Sequence, residues 1–257
     1  MTPASAMYFT PLSYVLGWIS AILVGMSKTG VPGVSLPAIL LMAEAFSGNE
    51  KASAAAILPI LLLGDCFGVM YYRQHADWRK LGELLPFAAL GMAPGAAFLY
   101  LASDLQFKRL LGALILGLLL LEILRQRMRW YAIPHLWWFS AGMGILAGFT
   151  TMVGNAAGPT MSIYLVSRGM DKEQFMGTWA WFFLVVNSAK VPIFLGMQYF
   201  GADLLSPISW RFELIVLPAV FVGALAGRHT FRFIPQRVFD PLVLALAGAA
   251  AVRMLIG

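Results

Sequence analysis

The stretch Gly148-Phe149-Thr150-Thr151-Met152-Val153-Gly154-Asn155-Ala156-Ala157-Gly158-Pro159 decides the fold. It lies between apolar runs, yet it holds two threonines, an asparagine, three glycines and a proline. In a helix interior Gly costs roughly 1 kcal/mol and Pro roughly 3 kcal/mol relative to Ala, and Pro159 has no N–H to donate. The spacing therefore predicts a helix that breaks inside an apolar segment. A second break of the same kind occurs earlier, Gly25-Met26-Ser27-Lys28-Thr29-Gly30-Val31-Pro32-Gly33-Val34-Ser35-Leu36-Pro37. Paired interruptions at corresponding places in two halves point to a transporter's binding site.

Composition sets the environment. The 257 residues are 60% hydrophobic and only 12% charged, against about 25% charged in a soluble domain. An integral membrane protein is predicted. The formal charge of +6 is spread between apolar segments and forms no single patch, so no nucleic-acid partner is expected. One cysteine, Cys66, excludes an intrachain disulfide and a Cys-only metal site. No Lys or Arg precedes Lys28, so the start lacks the charged region of a signal peptide.

Apolar segments fall at about 12–26, 34–44, 52–72, 81–101, 107–124, 136–149, 158–167, 174–196, 211–227 and 238–256. Six of them have about 17 to 23 residues, enough for one crossing each. The other four are short and flank the two breaks. A helix of about 11 to 15 residues is roughly 16 to 22 Å long, little more than half of a hydrocarbon core about 30 Å thick. Each flanking pair is predicted to form a re-entrant hairpin whose tip lies near the midplane.

The halves align. Pro37 matches Pro159 and Asp65 matches Asn187 at an offset of 122, and Trp78, Pro86, Gly91, Gly95 and Phe107 match Trp210, Pro218, Gly223, Gly227 and Phe239 at 132. The expected organisation is an N-terminal repeat over 1–127, a cytoplasmic linker over 128–134 and a C-terminal repeat over 135–257, together one membrane domain. One hairpin plus three spans gives an odd number of crossings, so the repeats should be inverted. With both termini outside, 11 of the 18 Lys and Arg residues fall on the inner side and 5 on the outer, Lys28 and Lys190 lying within membrane segments. That bias follows the positive-inside rule. The fold class predicted is an all-α polytopic membrane protein of two inverted repeats, each one re-entrant helical hairpin plus three transmembrane helices.

Non-helical backbone at membrane depth has to line a cavity or be buried in protein, and a half-helix N-terminus directs about +0.5 charge at the break. Free N–H groups, hydroxyls and a lysine together suit an anion. The substrate-binding candidates are Ser27, Lys28 and Thr29 on the first tip, Thr150, Thr151 and Asn155 on the second, and Asn187 and Lys190 on the segment 174–196. The competing reading is that the small residues there only let helices approach, or that Lys28 meets a carboxylate. Asp65, a lone carboxylate midway along its span, is the proton-coupling candidate; an ion pair with Lys28 or Lys190 is the alternative. Trp137, Trp138, Trp179, Trp181 and Trp210 read as interfacial anchors, with pocket lining as the alternative for Trp179 and Trp181. His75, His135 and His229 are separated, so no metal site is predicted, no hydrolase motif is present, and no cofactor is expected.

The breaks Gly25–Gly30 and Thr150–Pro159, the run Tyr71-Tyr72-Arg73-Gln74-His75-Ala76-Asp77-Trp78, and Ala180-Trp181-Phe182-Phe183 leading to Asn187 and Lys190 resemble the TauE/SafE family of sulfite exporters and toluene-sulfonate uptake permeases. The resemblance runs over about 12–256, with Val-Pro-Gly and Asn-Ala-Ala-Gly where glycine triplets are commoner. It implies a multi-pass permease of the bacterial inner membrane, not an enzyme, that moves sulfite, a sulfonate or a related anion. Expected partners are that small anion and membrane lipids, with a homodimer left open. The alternatives are an anion channel, or a non-transporting membrane assembly or lipid-handling protein.

Overall fold

The apolar segments fold as helices, and the two breaks separate short helices that double back on their predecessors. The computed structural model describes residues 9–30, 34–47, 49–128, 137–202, 204, 206–230, 252 and 255. The predicted linker at 128–134 and the apolar segment 238–256 therefore lie almost wholly outside the described residues. In order the helices are α1 (Pro11–Thr29), α2 (Ser35–Ala45), α3 (Glu50–Ala56), α4 (Leu58–Tyr72), α5 (Trp78–Leu101), α6 (Asp104–Met128), α7 (Trp137–Gly154), α8 (Gly158–Ser167), α9 (Lys172–Tyr199), α10 (Pro207–Val216) and α11 (Ala219–Thr230), with a 3-10 turn at Arg73–His75. The described residues contain no strand. Among the described residues, five stretches are long and apolar enough to cross a membrane: 11–29, 50–75, 78–101, 172–199 and 209–229.

Contacts at the helix ends fix how the elements lie. Phe9, just before α1, packs edge-on against Phe46, just after α2, with ring centroids 4.9 Å apart. Phe139 at the start of α7 stacks on Tyr164 near the end of α8 at 6.4 Å. In the pairs α1–α2 and α7–α8 the start of the first helix thus lies beside the end of the second. The first end also holds Lys51, whose N–H donates to Asp104 Oδ1 at 3.0 Å and whose ammonium donates to the Ala102 carbonyl, and Tyr100, bonded to the Phe200 carbonyl. The other end holds Lys80, which donates to the Arg168 carbonyl, the Asp77 N–H bonded to Thr178 Oγ1, and the His75–Glu173 contact at 3.4 Å. α5 joins these two ends; its 24 residues span roughly 36 Å.

Glycines carry the closest packing. A methyl group on Gly25 would run into the Val220 carbonyl and one on Gly223 into the Ile22 carbonyl, locking α1 against α11. Gly148 meets the Ala88 carbonyl in the same way and Gly91 the Ile145 carbonyl, locking α7 against α5. The second set is the first displaced by 123 positions on α1/α7 and 132 on α5/α11. The aligned glycines Gly91/Gly223 and Gly95/Gly227 therefore do the same work in both halves. They are small because backbone meets backbone, which is how helices associate where lipid supplies no hydrophobic drive.

The breaks are narrower than the sequence suggests. α1 stays helical to Thr29 and α7 to Gly154, so Ser27, Lys28, Thr29, Thr150 and Thr151 occupy last helical turns and not the non-helical tip. Packing of the glycine faces holds these turns, and tertiary context outweighs intrinsic propensity. At the second break Asn155 takes a left-handed conformation (φ 57°), which Asn tolerates better than most residues.

Candidate functional site

The two breaks meet. A Cβ built on Gly158, the first residue of α8, would lie 2.9 Å from Oγ of Ser35, the first residue of α2. Two helices of 11 and 10 residues therefore start at one place inside the bundle. Neither start has a side-chain cap: Val34 and Ala157 occupy the N-cap positions, and their side chains accept nothing from the first N–H groups. By contrast α1, α5, α9 and α10, which begin at the ends of the bundle, are capped by Thr10, Asp77, Asp171 and Ser206. The first N–H groups of a helix lack intrahelical partners, and here they are left without a capping side chain where the partial positive charge of both dipoles converges.

Around this point lies a small closed cavity lined by Ser27, Lys28, Ser35, Leu61, Thr151, Asn155, Gly158, Trp179, Phe183 and Asn187. Its free volume is about 10 Å³, on the order of what one water requires.

Two lysines serve this cavity in different ways. Lys28 Nζ lies 2.7 Å from Asp65 Oδ1, both side chains buried, and 4.0 Å above the centre of the Phe183 ring. Asp65 is held from its other side by Asn187, whose Nδ2 donates to Oδ2 at 2.6 Å. Lys28 and Asp65 therefore neutralise each other. Lys190, fully buried, faces only neutral oxygens: it donates to Asn155 Oδ1 at 2.6 Å, Thr151 Oγ1 at 2.9 Å and the Thr151 carbonyl at 3.1 Å. Among the described residues no carboxylate lies within ion-pair distance of it. Asn155 is fixed in turn by donating Nδ2 to the Ala54 carbonyl at 3.1 Å. The loop of the second break thereby reaches α3 in the other half of the chain.

Among the described residues, two polar atoms at the cavity wall have no protein partner. Trp179 Nε1 and Asn187 Oδ1 are both buried and unbonded, and each such group calls for an occupant. Trp179 is therefore not an interfacial anchor: it is 1% exposed, because its face of α9 turns toward the break, whereas Trp137, Trp138 and Trp210 are exposed.

Of the sequence candidates, Ser27, Lys28, Thr151, Asn155 and Asn187 come together on the cavity wall, Lys190 binds two of them, and Asp65 stands behind Lys28. Thr29 and Thr150 do not face it with their hydroxyls. Thr29 Oγ1 donates to the carbonyls of Gly25 and Ala224, and Thr150 Oγ1 to the Leu146 carbonyl at 2.8 Å, as threonines inside helices do. Ser35, Phe183 and the unpaired N–H of Trp179 join the site from the structure. For Ser35 the signal was its place at the start of a short helix; for Phe183, nothing beyond the apolar pattern.

Apolar helices long enough to span a bilayer, closed around buried charges and two uncapped helix starts, define a multi-pass membrane protein with a polar centre. The chain belongs to the sulfite exporter TauE/SafE family, which its residues 13–254 match, and that family consists of transporters. No curated protein and no solved structure matches the chain.

Proposed function

We propose that the protein is a secondary transporter that carries a small organosulfur anion or sulfite across the bacterial inner membrane by alternating access. Lys190 carries this reading: a buried cation with neutral neighbours, at a cavity where two helix N-termini converge, is a site that lacks one negative charge. The aligned helix starts, the Trp179 N–H and the Thr151 hydroxyl supply donors for oxyanion oxygens. Ser27 and Lys28 complete the wall, and Asn187 positions Asp65. Thr29 and Thr150 shape the turns that present Ser27, Lys28 and Thr151.

The arrangement of the chain is read with it. The pairs α1–α2 and α7–α8 are the re-entrant hairpins of two inverted repeats, with the α4–α5 end of the bundle in the cytoplasm. The doubled-back pairs and the repeated glycine contacts support this. The repeats slide or rock about the closed cavity to expose it to each side in turn. The small volume of the cavity, about 10 Å³, favours such a carrier over an anion channel.

Reconstituted vesicles test the proposal. Uptake of a labelled sulfonate is expected to saturate and to be accelerated by unlabelled sulfonate on the far side. Single-channel conductance steps in a planar bilayer would overturn the carrier reading, and absence of flux for sulfite and sulfonates alike would overturn the substrate.

A further inference from the structure

We infer that Lys190 carries a proton together with the anion, so that one proton and one anion are bound and released as a neutral pair. The inference rests on the reading of the cavity as an anion site. Lys28 keeps its counter-charge whether or not an anion is present, because Asp65 lies 2.7 Å away. Lys190 has none. A buried charge without a partner is costly, and an arriving monoanion removes that cost. When the anion leaves, the amine returns its proton to water on the side that is open.

The cage around Lys190 accommodates both forms of the amine. As an ammonium it donates to Asn155 Oδ1, Thr151 Oγ1 and the Thr151 carbonyl, one hydrogen to each. As a neutral amine it has two hydrogens and one lone pair. It then donates to Asn155 Oδ1 and the Thr151 carbonyl, and the Thr151 hydroxyl, 2.9 Å away, turns to donate to the nitrogen. Asn155 cannot rotate to break this pattern, since its amide nitrogen is bonded to Ala54.

The charged groups acting on Lys190 are Lys28 on α1 and Asp65 on α4. The turn's Arg73 and His75 and the Arg79, Lys80 and Glu83 of α5 lie at the end of the bundle marked by Glu173. Glu173 precedes Lys190 by 17 residues, roughly 25 Å along α9. Tyr100, the titratable group at the other end of α5, bonds the Phe200 carbonyl, roughly 15 Å past Lys190 along the chain. α7 and α8 bring no carboxylate and no cation within their helices. The balance among these groups is one net positive charge with Lys190 protonated, which matches a monoanion.

The test is proton counting during binding. Methanesulfonate, which stays ionised from about pH 5 to about pH 9, is titrated into the purified protein in nanodiscs, in two buffers of different ionisation enthalpy. Uptake of about one proton per anion is expected at the alkaline end, falling toward zero at the acid end. Lys190→Arg, whose side chain keeps its charge, is expected to bind with no proton uptake at any pH, whatever its affinity. Wild-type binding without proton uptake throughout this range overturns the inference while leaving the anion site standing. So does proton uptake in Lys190→Arg equal to wild type. Failure of methanesulfonate, sulfite and other sulfonates to bind wild type overturns the anion site itself, and the inference with it.

Discussion

Asp65 and Asn187, equivalent positions of the two halves at an offset of 122, are in direct contact, with Asn187 Nδ2 donating to Asp65 Oδ2 at 2.6 Å. The bond joins α4 to α9. The glycine contacts recur at matching offsets, but the charged residues do not. Lys28 corresponds to Thr151 at the offset of 123 that relates α1 to α7, and Lys190 corresponds to Gly68 at 122. Lys28 is therefore closed in an ion pair, whereas Lys190 sits among neutral oxygens.

The ion pair is expected to be essential only as a pair. Asp65→Asn leaves Lys28 buried without a counter-charge, at a cost of about 3–5 kcal/mol; Lys28→Met leaves Asp65 in the same position. The double variant Lys28→Met/Asp65→Asn should lose much less than the two single losses combined. Chemical denaturation in detergent measures all three. Additive losses would mean that the 2.7 Å contact contributes no coupling.

Packing of α5 on α7 should be intolerant of a single methyl group. At Gly91 the added Cβ meets the Ile145 backbone, which no side-chain rotation relieves, and Gly91→Ala should destabilise by about 1–3 kcal/mol. Gly142, in the same helix pair, has nothing within 4 Å of an added Cβ, and Gly142→Ala should be neutral or stabilise by up to about 1 kcal/mol. Equal melting shifts for the two would remove the close-packing account of the glycine repeat.

Much of this architecture is legible in the chain, and the gaps have physical causes. The breaks announce themselves because Pro159, Pro32 and Pro37 cannot donate a helical hydrogen bond. Their upstream limits do not, since Thr29 and Gly154 stay helical through contacts with residues far away in sequence. Asp65 and Asn187 could be matched as repeat mates, yet nothing in a linear pattern says that they touch. The sequence offered Lys28 or Lys190 as partners for Asp65, and only side-chain direction chooses Lys28. Trp179 was ambiguous for the same reason: an indole suits an interface or a pocket equally, and the face of α9 decides.

The Trp179 indole N–H is expected to be a ligand donor. It is buried, lines the cavity and has no partner. Trp179→Phe keeps the ring packed on Phe175 and Phe183 and removes only that donor together with part of the indole. Sulfonate affinity should fall about tenfold, the equivalent of about 1.4 kcal/mol, with little change in unliganded stability. Calorimetric titration reads the first and thermal unfolding the second. Unchanged affinity would place the N–H outside the binding contacts.

The inverted arrangement makes a sidedness prediction that single cysteines can read. The native Cys66 is the only cysteine and is exposed, so the background is Cys66→Ser. Ser47 follows the end of α2, and Ser103 joins α5 to α6 beside Ala102, the residue that Lys51 binds; both belong to the end that faces outward in the proposed topology. Arg79 and Glu173 belong to the opposite end, where Lys80 reaches Arg168 and His75 reaches Glu173. A membrane-impermeant maleimide added to intact cells should label Ser47→Cys and Ser103→Cys. It should label Arg79→Cys and Glu173→Cys only after permeabilisation. The decisive comparison is Ser47→Cys with a cysteine ahead of α1, at Thr10. Phe9 packs on Phe46, so if α1 and α2 form a re-entrant hairpin both positions label from outside. If the two helices instead formed one continuous crossing they would lie on opposite faces, and labelling of one without the other would exclude the hairpin.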